Sequence, residues 1–550
     1  MIANIGHSLN WPIPFVALVV VIVVSLLVYF NYFYVDIPKI DGIPEIPNGE
    51  LLAGHLYQLG ADHATTAENW SAEYRWPVFQ VRMGRRRAIF LNSFESAREW
   101  LVKNSTATVD RPWFYTFHGV VSATSAATIG TSPWNERTKK QRRVVGSFTT
   151  GPAMARARPM IDMESSAVIA SLYRDTGKGE QEVVPHVYLK RLALNMMLKF
   201  CYGTRMNSVT NPLLLQILED ATTIASFRST NSNPQDFIPH LRYLAKSDRT
   251  ATALEVRARR DNWLNSMLDR VKSALKPSES DKKPIAEMLL EDNTEGLTQS
   301  KFHPVHNCVL KADKDAVDIK TILGGLMSGG FETVFSTAII TIGLLSTPEG
   351  QILQQEAYHD LMSAYSSPEE AFKDCISEEK SPYISGMVKE SLRFYPPLKI
   401  LPARQTFKEF EYNGAKIPKG VLVYTNTQAV NHDKLSYGPD ADRFRPKRWI
   451  NKDYNVPAPY HFAFGAGGRM CTAVNFSNRV LYTIYARLIL SFRITGSQTN
   501  PANTHYIHYK RDPTESNSIA SEFKVRFTPR DRDVLERCLI QADERLADFN

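Results

Sequence analysis

Residues 464–471 read Phe-Gly-Ala-Gly-Gly-Arg-Met-Cys and precede an apolar run from Val480 to Phe492. The three glycines let the backbone turn tightly and approach a flat ligand, and Arg469 offers a planar fork to a carboxylate. Cys471 stands just before a predicted helix, where backbone N–H groups and a nearby cation lower the pKa of a thiol. The alternative is a buried free cysteine beside a glycine-rich turn, but the ordered set of Phe, Gly, Gly, Arg and Cys favours a thiolate ligand.

The composition is that of a globular chain with a large core: 43% of the 550 residues are apolar and 22% are charged. The 65 Lys and Arg exceed the 57 Asp and Glu by only 8, so we expect a local basic patch and no nucleic-acid partner. The cysteines are odd in number and widely spaced, which argues against a disulfide framework or a zinc site and favours a reducing compartment. They are Cys201, Cys308, Cys375, Cys471 and Cys538.

The N-terminal stretch Ile13–Phe30 contains no charged residue and is long enough for a membrane-spanning helix. A cleaved signal peptide is the alternative, but residues 31–34 read Asn-Tyr-Phe-Tyr and lack the small side chains of a cleavage site. We therefore expect an uncleaved anchor over residues 1–36, followed by a proline-rich hinge over residues 37–50.

A second stretch whose side chains could take part in a reaction lies inside the mostly apolar run Val317–Leu345. That run predicts a buried helix. The glycines at 329–330 weaken this helix by about 1 kcal/mol each, and Glu332 and Thr333 follow them directly. The alternative is a glycine pair that serves packing, beside a buried Glu that is bonded to its neighbours. A purely structural helix has little need of this combination.

Short strands are predicted at both sides of the mainly helical middle of the chain. Alternating apolar residues at 78–82 and 88–91, separated by Gly84, predict a strand hairpin. An Asn-Gly turn at 413–414 predicts another. The sequence thus predicts a mainly α fold with a small β region.

The stretch around Cys471 resembles the haem-binding loop of the cytochrome P-450 family, in which the cysteine is the axial thiolate; Ala473 stands where the family usually has glycine. Glu390 and Arg393, followed by Phe-Tyr-Pro-Pro, resemble the family's signature helix. In that family the pair anchors the haem-side core, and Arg448 would be its third member. The resemblance implies a P-450 fold behind one N-terminal transmembrane helix, with a haem-thiolate domain over residues 51–550.

The same resemblance implies which residues serve the cofactor and the reaction. Glu332 and Thr333 would hold water and deliver the protons that cleave the O–O bond. The implied cofactor is haem b, and its contacts would be Cys471, Arg469, Phe464, Arg404, Trp134 and Arg137. The basic run Lys139, Lys140, Arg142 and Arg143 would dock an acidic redox partner, the alternative being a solvated charged helix face.

Partners and location also follow from the resemblance. Electrons would come from NADPH through NADPH-cytochrome P-450 reductase, with cytochrome b5 as a further candidate donor. The remaining expected partners are membrane lipid and a small-molecule substrate. The protein would be a single-pass protein of the endoplasmic reticulum membrane whose catalytic domain faces the cytosol.

Within the family, residues 128–134, 378–383 and 471–479 are similar to fungal phenylacetate hydroxylases. This similarity implies that one oxygen atom of O2 is inserted into a small aromatic or arylacetic acid, with Arg228 or Lys399 as the pocket cation that meets its carboxylate. One alternative is an oxidase of secondary metabolism. Another, from a different class, is a haem-binding membrane protein that does not activate oxygen, and Glu332 and Thr333 argue against it.

Overall fold

The structure is a computed structural model that describes residues 13–29, 34–123, 129–149, 152–229, 233–244, 248–274, 283–294, 316–451 and 454–547. Cys308 lies outside these residues, as do residues 1–12 and 30–33 of the predicted anchor.

Helices dominate the described chain. In chain order they are α1 Ile13–Val28, α2 His63–Tyr74, α3 Phe94–Arg98, α4 Glu136–Thr149, α5 Pro152–Asp175, α6 His186–Tyr202, α7 Pro212–Ser226, α8 Leu241–Leu244, α9 Asp248–Ala274, α10 Ile285–Thr294, α11 Ala316–Gly330, α12 Glu332–Leu345, α13 Pro348–Ala364, α14 Pro368–Asp374, α15 Pro382–Phe394, α16 Thr427–Asn431, α17 Lys434–Tyr437, α18 Val474–Ser491 and α19 Arg532–Leu546. The mainly α prediction is confirmed.

The strands are β1 Val78–Met83, β2 Arg86–Leu91, β3 Glu182–Val183, β4 Arg404–Gln405, β5 Phe410–Tyr412, β6 Ala415–Ile417, β7 Leu422–Thr425, β8 Phe492–Gly496 and β9 Val525–Pro529. They form sheets in the orders β1-β2-β7-β4, β3-β9-β8 and β5-β6. The two predicted hairpins are present as β1–β2 and β5–β6, and Asn413 and Gly414 turn the second with φ of 48° and 79°. The parallel pairing of β2 with β7 joins segments far apart in the chain.

The predicted apolar helix is the centre of the main core, and it is interrupted at Phe331, between α11 and α12. Every residue of α12 from Val334 to Leu345 is buried. The stretch Ile319–Leu345 is long and apolar enough to cross a membrane, but 78% of its most apolar window is buried inside the protein. It is therefore a core helix, and it presents its interruption to the cavity described below.

The predicted anchor forms α1, and its apolar side chains are largely exposed; Val21, for example, is 61% exposed. The apolar part that is described, Pro14–Leu26, is shorter than a full membrane span. The region predicted as a hinge packs onto β1: the Gln80 side-chain amide donates to the carbonyls of Ile40 and Ile43 at 2.7 and 2.6 Å. Residues 37–50 therefore contribute to the core through their isoleucines.

Candidate active site

A cavity of about 340 Å³ lies between the loop that ends at Cys471 and the interruption of the α11–α12 helix. Cys471, Phe464 and Arg469 line it from the loop, and Gly329 and Thr333 line it from the helix. Two of the stretches that sequence reasoning singled out therefore face the same space.

Residues 464–471, here called the cysteine loop, are shaped by backbone hydrogen bonds and by glycine. The N–H of Cys471 donates to the carbonyl of Phe464 at 2.9 Å, and Gly467 has a φ of 60°. A Cβ at Gly467 would lie 2.1 Å from the carbonyl oxygen of Leu101, so a larger residue would displace the loop. Ala473, where the resembling family has glycine, has a φ of −106°, which an alanine adopts without strain.

The thiol of Cys471 accepts the N–H of Ala473 at 3.4 Å, at the start of α18. Burial raises the pKa of this thiol, while the N–H of Ala473 and the positive charge of Arg142 act to lower it. The devices expected from the sequence are thus present, but burial outweighs them in the protein alone. A bound metal ion would supply the missing stabilisation of the thiolate.

Four buried or half-buried arginines, here called the arginine cluster, line the cavity beside the cysteine loop: Arg111, Arg142, Arg404 and Arg469. Burial, followed by the charges of Arg111 and Arg142, lowers the pKa of Arg469 to about 8. Burial, followed by the charges of Arg469 and Arg142, lowers the pKa of Arg404 to about 9. Cations that depress one another's pKa in this way call for an anion between them.

The charge of Asp110 offsets part of the positive charge of Arg469, but its carboxylate makes no hydrogen bond to that guanidinium among the described residues. The Nη2 of Arg469 donates to the carbonyls of Gly130 and Ser132 at 3.1 and 2.9 Å, whereas its buried Nε and Nη1 have no hydrogen-bond partner among the described residues. Haem carries two propionate carboxylates, and a thiolate is one of its axial ligands in proteins. The arginine cluster, the glycine-shaped loop and Cys471 therefore fit a haem in this cavity.

Two of the predicted haem contacts do not line the cavity. Trp134 lies behind Arg469, with its ring centre 5.5 Å from the guanidinium carbon. Arg137 is exposed on α4, while Arg142 on the same helix reaches the cysteine loop and donates to the carbonyl of Met470 at 2.6 Å. Arg137 therefore does not line the cavity, because the helix turns that residue to solvent, and its contact with haem stays a prediction.

Arg142 also departs from its predicted role as part of a docking face. Lys140 and Arg143 are exposed, and Lys139 is half-buried and paired with Glu136 at 2.6 Å, so all three residues lie at the surface. Sequence reasoning missed Arg111 and the inward position of Arg142. The buried positions Thr138, Gln141 and Val145 recur every three to four residues, and this period would have placed Arg142 beside the inner face.

The interruption of the α11–α12 helix gives its two glycines different surroundings. A Cβ at Gly330 would lie 2.1 Å from the sulfur of Met197, whereas a Cβ at Gly329 would meet no atom within 4 Å. The hydroxyl of Thr333 donates to the carbonyl of Gly329 at 2.8 Å, on the cavity side. The hydroxyl is thereby held at the cavity wall by the backbone of the preceding helical turn.

Glu332 does not share the cavity with Thr333. Its buried carboxyl accepts hydrogen bonds from the side-chain amide of Asn517 and from Arg228, whose Nη2 lies at 3.5 Å. It borders a separate apolar chamber of about 50 Å³. Burial raises the pKa of Glu332 to about 7, against the opposing charge of Arg228. The predicted pair is therefore adjacent in sequence but divided between two spaces.

The predicted structural network is assembled around Glu390. Arg393 donates to its two carboxylate oxygens at 2.9 and 2.7 Å, and Arg448 lies 3.6 Å away through Nε. The indole N–H of Trp449, which the sequence did not reveal as a member, donates to the same carboxylate at 2.9 Å. The hydroxyl of the N-cap Ser381 accepts the N–H of Ile384 at 3.2 Å and helps to fix the start of α15, which carries the pair.

Both predicted pocket cations line the cavity, and each faces an acid. Arg228 faces Glu332, as described above, and Lys399 lies 3.6 Å from Asp62.

Comparison with known proteins agrees with this geometry. A family model described as Cytochrome P450 matches residues 44–508. The chain is 36% identical over 540 residues to phenylacetate 2-hydroxylase of Emericella nidulans, which covers 96% of this chain and 98% of that protein. It is 31% identical to 3-hydroxyphenylacetate 6-hydroxylase of Emericella nidulans, over 97% of this chain and 98% of that protein. It is 29% identical to Cytochrome P450 monooxygenase CYP3 of Mycosarcoma maydis, over 88% of this chain and 86% of that protein.

Proposed function

Because the chain belongs to the cytochrome P450 family and is therefore a monooxygenase, we propose that it hydroxylates a small aromatic substrate of the arylacetic acid type. The observation that carries this proposal is the 36% identity, over 96% of the chain, to a protein named for phenylacetate hydroxylation. In such a reaction one atom of O2 enters a ring C–H bond. The other atom leaves as water after two electrons and two protons have been supplied.

The family implies a haem-thiolate cofactor and electrons from a reductase; we propose haem b and, as the donor, NADPH through NADPH-cytochrome P450 reductase. Bound haem would supply the activation of oxygen and the oxidation itself. Cys471 would ligate the iron, and the arginine cluster would hold the propionates. Lys139, Lys140 and Arg143 form the surface proposed to dock the reductase or cytochrome b5.

The chain's own share of the chemistry is orientation and proton handling. The Thr333 hydroxyl is held at the cavity wall by its bond to the Gly329 carbonyl, where its oxygen can accept a hydrogen bond from a water that would pass a proton to the reacting oxygen. Glu332, with a pKa of about 7, can exchange protons near neutral pH from behind the helix. The apolar part of the wall, which includes Phe117 and Leu326, would exclude other water from the ring.

Replacing Thr333 by alanine is expected to leave haem loading and substrate binding intact but to lower product formed per NADPH by about tenfold or more, with peroxide released instead. The reason is that the alanine removes the cavity-side hydroxyl without changing the glycine pair. Product, peroxide and NADPH consumption are measured together. Ser336→Ala is the control. It removes a hydroxyl that lies on the same helix and donates to the backbone carbonyl of Thr333. Unchanged coupling in Thr333→Ala would contradict the role.

A membrane location is part of the proposal and rests on α1. Its described side chains are apolar and exposed, with Leu18 and Val21 56% and 61% exposed, which is costly in water and favourable in lipid. We propose an anchor over residues 1–36 in the endoplasmic reticulum membrane, with the domain that begins at residue 51 in the cytosol.

The proposed substrate class is tested by product analysis of microsomes that contain this chain and a reductase. Phenylacetate, 3-hydroxyphenylacetate and a panel of neutral aromatics are supplied with NADPH. We expect a ring-hydroxylated product from at least one arylacetic acid, and none when NADPH is omitted. If no aromatic acid is oxidised while an intermediate of secondary metabolism is, the substrate proposal is wrong and the alternative from the sequence is supported.

A further inference from the structure

A second charged group lies on the wall of the main cavity, apart from the arginine cluster. It is formed by three segments: Asp62 at the N-cap of α2, Lys399 after α15, and Lys510 between β8 and β9. Lys399 is 4% exposed and Lys510 is half-buried. Ammonium groups withdrawn from water are costly unless they are paired, so the presence of both on one cavity wall requires an explanation.

The contacts of the two lysines differ. The Nζ of Lys399 donates to the carbonyl of Ile507 and lies 3.6 Å from a carboxylate oxygen of Asp62. The Nζ of Lys510 donates to the backbone carbonyls of Pro513, at 3.2 Å, and Glu515, and has no carboxylate within ion-pair distance among the described residues. Lys510 is therefore the cation whose charge the described chain leaves least balanced.

The neighbouring acids do not cancel this charge. The carboxylate of Asp62 already accepts the N–H and the hydroxyl of Thr65, at 3.2 and 2.9 Å. The side chain of Glu515 pairs with Arg511, and burial raises the pKa of Glu68, which disfavours its charged form. His63 adds no positive charge near neutral pH, because burial lowers its pKa to about 3. The charge of Asp512 also acts on Lys510, but its carboxylate accepts the N–H and the hydroxyl of Thr514, at 2.8 and 2.7 Å, and makes no ion pair with either lysine among the described residues. Asp62 is therefore the acid that the two ammonium groups share at close range.

The electrostatics of Lys510 agree with a role in binding an anion. Burial, followed by the charge of Lys399, lowers the pKa of Lys510 to about 8. A carboxylate bound between the two ammonium groups would add a negative charge that favours the charged form of both, and charge-assisted hydrogen bonds of this kind are strong when they are shielded from water.

We propose that Lys399 and Lys510 together form the subsite for the carboxylate of an arylacetic acid substrate. This inference rests on the proposed function and decides between its two candidate cations. Arg228 donates to the buried carboxyl of Glu332 at 3.5 Å, so its guanidinium already has a partner within the chain and serves to hold that acid. Pro397, Leu398 and Ile400 flank Lys399 on the cavity wall and provide an apolar surface for the ring.

The inference is tested with the haem-loaded enzyme by spectral titration with phenylacetate and with phenylacetamide, its neutral isostere. The wild type is expected to bind the acid more tightly than the amide. Lys510→Met and Lys399→Met should each weaken binding of phenylacetate by about tenfold or more and leave binding of phenylacetamide within about twofold. Lys510→Arg should keep the preference because it keeps the charge. Lys416→Met, at an exposed position on β6, is the matched control.

The outcomes separate this inference from the proposed function. Each variant is first checked for a thiolate-type spectrum with carbon monoxide, and if Lys399→Met does not fold, Lys510→Met carries the test. An unchanged preference for the acid in Lys510→Met, or a preference lost only in Arg228→Met, overturns the lysine subsite. A wild-type enzyme that binds the acid through these lysines but forms no hydroxylated product would instead contradict the proposed reaction. If the wild type shows no preference for the acid, the subsite is wrong.

Discussion

Replacing Cys471 by alanine is expected to abolish hydroxylation and to remove the thiolate-type absorption band of the reduced carbon monoxide complex. Among the described residues, Cys471 is the only cysteine that lines the cavity, so no second thiol can take its place. The alanine would leave the arginine cluster and the loop glycines intact. Residual haem binding by Cys471→Ala, without the thiolate band, would therefore still agree with Cys471 as the ligand.

The measurement needs a control that separates loss of the ligand from loss of a buried sulfur. Cys201→Ala provides it, because Cys201 is fully buried on α6 and does not line the cavity. We expect this variant to keep the thiolate band and the activity, at a cost of about 1–2 kcal/mol in the free energy of unfolding. A band of imidazole type in the wild type, or an unchanged band in Cys471→Ala, would show that another residue is the ligand.

The parts of the site that could be predicted from the sequence are those whose chemistry lies within one short segment. In three segments the neighbouring residues alone determine the local geometry. Glycines shape the cysteine loop and the Gly329–Thr333 interruption, and an acid and a base one helical turn apart form the Glu390–Arg393 pair. The structure brings the first two to one cavity, as the resemblance implied.

The parts that could not be predicted depend on contacts between distant segments. Arg111 precedes α4, Arg404 begins β4 and Arg469 lies in the cysteine loop, so their grouping requires the fold. Trp449 joins Glu390 for the same reason. The exposed position of Arg137 has a local cause, because one residue along a helix rotates a side chain by about 100°.

Burial explains two further differences. The sequence pointed to groups that lower the pKa of the Cys471 thiol, but desolvation by the surrounding fold acts in the opposite direction and is larger. Glu332 was expected beside Thr333 at one site, and instead its carboxyl is withdrawn toward Asn517. Neither the extent of desolvation nor the side of the helix that faces the cavity can be predicted from the residues that are adjacent in the sequence.

Replacing Arg393 by methionine is expected to destabilise the folded protein by about 3–5 kcal/mol, because the carboxylate of Glu390 would remain fully buried without its bidentate partner. The loss reaches the active site through the backbone. Arg393 donates to the carbonyls of Asn431 and Ala441, both at 2.8 Å, and the side chain of Asn431 accepts the N–H of Phe462 at 2.9 Å, two residues before the cysteine loop. The yield of haem-loaded protein should therefore fall sharply.

Urea unfolding and the yield of the thiolate-type spectrum measure these two consequences separately. Arg443→Met is the matched control: its side chain is exposed, and only its backbone carbonyl accepts a bond from Arg393, so we expect a change within about 0.5 kcal/mol. Arg393→Lys should be nearly as unstable as Arg393→Met, because an ammonium group cannot bond both carboxylate oxygens and the three carbonyls, of Asn431, Ala441 and Arg443, at once. If Arg393→Met kept wild-type stability but lost haem, the residue would act on the cofactor directly. We do not expect that outcome, because Arg393 does not line the cavity. The Glu390 network instead supports the cysteine loop through the backbone.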